Sequence, residues 1–196
     1  MKRMVMLVFM VLTLSSCAGQ RPPTREELLE IRKVADATRT RVYAAPPEQV
    51  LSAAARVFEE SDTDYRPMGQ TENSTAYRRD WLLYMVFAVM VGQDNWKVTA
   101  TPAEGGTRVE VIHWQGPQGG GFIPITSGGG SEHDYTIHPS LYTLYHERLA
   151  YMLGDRDDWV SCKTAEARLK DNPDRQRVDP LHALCSLTVD KATVER

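Results

Sequence analysis

Apolar residues recur at helical spacing in three parts of the chain. Leu28, Ile31 and Ala35 form a modest stripe, preceded by Thr24 and Glu27 at capping-box spacing. Val50, Leu51, Ala54, Val57 and Phe58 form a stronger one, opened by Pro46-Pro47 and running to about Glu60. Leu141, Leu144, Tyr145, Leu149 and Met152 mark a third helix, opened by Pro139 and stopped by Gly154. Strict alternation appears elsewhere. Trp96 to Thr101 and Thr107 to Trp114 read as a hairpin around the turn Pro102–Gly106, with Val109, Val111 and His113 on one side. Arg39 to Ala44 and Thr75 to Asp80 read as further strands, while Tyr65 to Met68 carries little signal. A short helical stretch is expected near Thr164 to Lys170. This order predicts an α+β fold: an antiparallel sheet with helices packed on one face, in a single domain with a C-terminal extension.

Two stretches fit neither period. Trp81 to Val91 holds no charge, and reads as a buried strand or helix of the core or as an apolar contact surface. Gly116 to Gly130 contains seven of the thirteen glycines around Phe122-Ile123-Pro124-Ile125, and reads as a loop or a flexible arm that orders on a partner.

The N-terminus has a third character. Lys2 and Arg3 precede an apolar run from Met4 to Leu14, which ends in Leu14-Ser15-Ser16-Cys17. Eleven residues are too few to span a bilayer core, which needs about 20. The layout is that of a secretory signal. It resembles the signal of bacterial lipoproteins, whose lipobox is Leu, two small residues and Cys. The resemblance implies cleavage after Ser16 and acylation of Cys17, with palmitate-type chains holding the protein on the membrane. Ala18, in place of Asp, implies sorting to the outer membrane, with the protein facing the periplasm. The expected organisation is a signal peptide at 1–16, a lipidated tether and short helix at 17–37, an α+β domain at 38–160 and an extension at 161–196.

From about residue 38 to 153 the element order resembles the small domains of the BamC outer-membrane lipoproteins, accessories of barrel assembly. The helix start at Pro46–Ala54 (PPEQVLSAA) carries most of that likeness. It implies an interaction role and transfers no binding residue.

Charge and cysteines fit this address. The formal net charge is −3, and loss of Lys2 and Arg3 with the signal makes the chain more acidic. Such a chain has no global attraction to nucleic acid. With Cys17 acylated, Cys162 and Cys185 remain as a pair in an oxidising compartment, so a disulfide between them is expected. It would close the extension into a loop and contribute roughly 3 kcal/mol in the chain-entropy model. Trp159 is expected to pack over it.

Candidate chemistry is sparse. The glycine-rich stretch lacks the GK[ST] of a P-loop, and no G-x-S-x-G elbow is present. His113, His133, His138 and His146 lie close in sequence but lack H-E-x-x-H spacing, so neither metal nor other cofactor is expected. The expected function is a non-enzymatic lipoprotein that meets the membrane through Cys17 and takes part in an envelope protein complex. The alternative is an envelope hydrolase or polymer-binding protein with a site near Glu132, His133 and Asp134.

Overall fold

The computed structural model describes residues 24–61, 64–85, 88–116, 119–121, 135–170 and 181–185, without the side chains of 82–90, 119–121 and 170. Cys17, the signal, the tether, most of the glycine-rich stretch and Glu132-His133-Asp134 lie outside the described residues. The chain divides into a unit at Met1–Glu30 and a compact unit at Ile31–Arg196. The first contributes the start of helix α1 (Arg25–Thr38). Its capping box is formed as the spacing predicts. Thr24 N–H donates to Glu27 Oε2 at 2.6 Å, and Glu27 N–H donates to Thr24 Oγ1 at 3.2 Å.

The compact unit runs from the rest of α1 through β1 (Thr40–Tyr43), α2 (Pro47–Ser61), β2 (Arg66–Gln70) and β3 (Ser74–Met85). It continues through β4 (Ala88–Ala103), β5 (Gly106–Gln115), β6 (Gly119–Gly121), α3 (Pro139–Leu153) and α4 (Cys162–Lys170). The six strands form one antiparallel sheet in the order β1-β5-β4-β3-β2, with β6 beside the early part of β4. The α+β class, the antiparallel sheet and the C-terminal disulfide are as the sequence predicts.

Alternation decides which sheet face is dry. Trp96, Val98 and Ala100 of β4, and Val109 and Val111 of β5, are fully buried. Val50, Val57 and Phe58 of α2 and Leu141, Tyr145 and Leu149 of α3 join them in one core. At its centre the rings of Phe58 and Tyr77 stack at 4.4 Å, and those of Trp96 and Tyr145 at 5.6 Å. On the opposite face Lys97, Thr99, Glu110 and Ile112 are only half-buried.

Two glycines set the chain's direction. Gly106 opens β5 at φ 139°, and a Cβ there would collide with the Tyr43 carbonyl of β1. Gly154 takes φ 82° and closes α3, its N–H returning to Tyr151 O at 3.1 Å.

The charge-free stretch 81–91 is neither one strand nor a helix. It supplies the end of β3 and the start of β4, paired from Trp81↔Gly92 to Met85↔Ala88. The indole of Trp81 lies so close over Gly92 that no Cβ would fit beneath it. The β3–β4 pair is therefore much longer than the two strands the alternation marks.

The C-terminal stretch belongs to the same core. Leu181, Ala183 and Leu184 are buried in it. Cys162 and Cys185 are joined as expected, with Cα atoms 5.5 Å apart.

Candidate functional site

Charged groups enter the core beside Trp96. Arg79 of β3 and Asp94 of β4 are cross-strand partners on the buried face. Arg79 Nη2 donates to Asp94 Oδ2 at 2.7 Å. The other carboxylate oxygen, Oδ1, stands 3.1 Å from His113 Nε2, and His113 is fully buried on β5. Its second ring nitrogen, Nδ1, is 2.9 Å from Thr136 Oγ1. Tyr142 of α3 closes the group, donating to Thr136 O at 2.8 Å and accepting from His113 N–H at 3.3 Å.

Protonation follows from these contacts. Burial alone would push the Asp94 carboxyl up. The His113 N–H and the Arg79 guanidinium outweigh it and hold the group at about 2. Burial pushes His113 down, against the pull of Asp94. The neutral imidazole then carries its proton on Nε2, toward the carboxylate, and its lone pair on Nδ1 accepts the Thr136 hydroxyl proton. The result is a carboxylate–imidazole–hydroxyl chain. Chemically, such a chain can activate a hydroxyl, but here the imidazole itself is fully buried.

A second histidine is used structurally. His146 of α3 donates from Nε2 to Arg39 O at 3.0 Å and accepts the Tyr43 hydroxyl at Nδ1, 2.9 Å away. Burial lowers it to about 4, outweighing the Arg39 carbonyl.

Below the polar group, three side chains hold three successive carbonyls of the C-terminal strap 181–185. Arg79 Nη2 donates to His182 O at 2.9 Å, Tyr65 to Ala183 O, and Arg148 Nη1 to Leu184 O at 3.1 Å. Trp96 Nε1 supports Tyr65 from behind at 2.9 Å. Arg148 is fully buried and also donates to Val160 O and Ser61 Oγ. Its guanidinium stands 4.5 Å over the ring of Trp159 and reaches Cys162 Sγ at 3.3 Å. Trp159 thus packs on the arginine that serves the disulfide.

Tyr145 of α3 lies in the same core. Its hydroxyl is buried without a hydrogen-bond partner among the described residues. Tyr145→Phe is therefore expected to leave stability unchanged or raise it by up to about 1 kcal/mol, read from urea midpoints. A loss above about 1 kcal/mol would mean the hydroxyl has a partner.

A groove of about 300 Å³ lies between α3 and α4, lined by Ser140, Thr143, Glu147, Ala165, Arg168 and Leu181. Arg168 Nη1 and Glu147 Oε2 are 2.8 Å apart there. Among the described residues no group of three or more His, Cys, Asp or Glu is placed to hold a metal. No helix among them is long and apolar enough to cross a membrane.

Of the sequence candidates, His113 and His146 are built into the core as described. The proposed cluster at Glu132, His133 and Asp134 lies outside the described residues, although Tyr135 and Thr136 immediately after it are placed. Tyr135 donates to Asp36 Oδ1 at 2.6 Å under the Arg39 guanidinium. Asp94 and Arg79 escape sequence reasoning, and the available signal is their spacing across a hairpin. In comparisons with known proteins, no family model, curated protein or solved structure matched this chain.

Proposed function

We propose that this chain is a lipid-anchored lipoprotein of the outer membrane, facing the periplasm and acting as a non-enzymatic interaction or envelope-assembly accessory. The observation that carries the reading is Leu14-Ser15-Ser16-Cys17 after a short apolar run. The BamC-like element order agrees with it, and so does a disulfide in the C-terminal region. The charge-free end of the β3–β4 hairpin is the contact element in this reading. Val91 in it is 43% exposed, an apolar side chain open to a partner.

The hydrolase or polymer-binding alternative rests on Glu132, His133 and Asp134, which lie outside the described residues. The one comparable arrangement among the described residues is Asp94–His113–Thr136. Because the ring of His113 meets no solvent, we assign that chain to fixing β4, β5 and the segment before α3.

Cys17→Ala is expected to move the protein from the membrane pellet to the soluble periplasmic fraction. Continued sedimentation with membranes would overturn the anchor. Val91→Asp is expected to abolish the crosslinked complex recovered from intact envelopes while leaving the circular dichroism unchanged. An unaltered complex would remove the hairpin from the reading.

A further inference from the structure

The disulfide has two unlike ends. Cys162 is the first residue of α4, a helix of nine residues. Ser161 caps that helix, its Oγ accepting the N–H of Thr164 at 3.1 Å. The free N–H groups of the first turn favour negative charge at this position. Independently, the fully buried Arg148 guanidinium donates to Cys162 Sγ at 3.3 Å. A cation and a helix N-terminus are the two devices that stabilise a cysteine thiolate. Cys185 has neither. Its N–H is bonded to Leu181 O at 2.8 Å, and among the described residues no cation donates to its sulfur. Both cysteines are only partly buried.

We propose that Cys162–Cys185 is an exchangeable disulfide, reduced by a dithiol that attacks Cys185 and releases Cys162 as a thiolate on Arg148. In the first step a thiolate of the dithiol attacks Cys185 Sγ. A new S–S bond joins the two, the Cys162–Cys185 bond breaks, and its electron pair goes to Cys162 Sγ. In the second step the remaining thiol of the dithiol loses its proton and attacks its own neighbour's sulfur. The dithiol becomes a disulfide, and Cys185 leaves and takes up a proton. Two electrons pass from the dithiol to the cysteine pair. The direction follows from leaving-group chemistry, since the sulfur with the lower pKa leaves faster.

The reduced strap has a reason to stay in place. Arg79, Tyr65 and Arg148 still hold the carbonyls of His182, Ala183 and Leu184. The two sulfurs therefore remain close and can be reoxidised. Arg148 also gains a counter-charge in the reduced state. This is a site for covalent partnership with envelope dithiols; it rests on the envelope location proposed above and does not require the acyl chains on Cys17.

The test uses the full chain in detergent, with each cysteine followed by peptide mass so that position 17 does not interfere. In Cys185→Ser, alkylation of Cys162 by iodoacetamide is expected to reach half its maximal rate below about pH 7.5. In Cys162→Ser, Cys185 is expected to do so at about 8.5 or above, the ordinary value for a thiol. Independently, oxidised wild-type protein is treated briefly with reduced glutathione and quenched in acid. At least tenfold more adduct is expected on Cys185 than on Cys162. A half-point for Cys162 at or above about 8.5 would overturn the proposal, as would equal or reversed labelling by glutathione.

Discussion

Arg148→Ala is expected to lower the unfolding free energy by about 4 kcal/mol, near the upper end for a single substitution. The cause is the number of groups that one side chain satisfies. Removing it leaves the Val160 and Leu184 carbonyls and the Ser61 hydroxyl without this donor. Each buried acceptor left unpaired costs about 1–3 kcal/mol. The ring of Trp159 also loses the guanidinium packed on it. For a chain of this size the expected fall in Tm is about 8–16 °C, at roughly 2–4 °C per kcal/mol. Arg148→Met separates the contributions. It refills much of the volume against Trp159 but supplies no donor, so most of the loss should remain. If either variant unfolds within about 1 kcal/mol of wild type by urea titration, the strap is not held as described.

This arginine also explains what the sequence conceals. Helix α3 is legible from Leu141, Leu144, Tyr145 and Leu149, all buried. Arg148 stands four residues after Leu144 and three after Tyr145, on the same helix face, but its charge gives no hint of the partners that let it be buried there. Its burial depends on Ser61, Val160 and Leu184, which come from distant parts of the chain and carry no local signal. The disulfide, in contrast, follows from counting cysteines once Cys17 is set aside. The proline-opened helices and the β4–β5 hairpin follow from their periods.

The β3–β4 hairpin marks where period reading stops. Alternation ends the first strand at Asp80 and begins the next at Trp96. In the structure the strands run on to Met85 and start at Ala88. Two causes combine. Trp81 to Val91 has no polar positions to alternate with. Gln93-Asp94-Asn95 has the composition of a turn, yet it lies within β4, where Asp94 faces the core. A carboxylate is tolerated there because Arg79 is its cross-strand partner and His113 comes from the other neighbouring strand. The histidine was visible at a core-facing position beside Val109 and Val111. Its partners emerge only when the register is known.

That same group gives the second large effect. Asp94→Ala is expected to cost about 3–5 kcal/mol, because it strands a buried cation. Arg79 has a side chain only 6% exposed, and Asp94 is fully buried beside it. The His113 N–H would lose its acceptor as well. The variant should also alter the acid limb of stability. The folded-state pKa of Asp94 is lowered from 3.8 to about 2, so its contribution is complete above about 4 and disappears as pH falls through about 2. His146 acts higher on the scale. It is lowered from 6.5 to about 4 by burial, so the unfolded chain binds the extra proton first. Stability therefore begins to fall below about pH 6.5 and continues to fall toward 4. Wild-type unfolding free energy, measured by urea titration, should decline over both windows. In Asp94→Ala the decline between about 6.5 and 4 should persist through His146, and the step between about 4 and 2 should shrink. An unchanged step there would show that Asp94 is not held as an ion by Arg79 and His113.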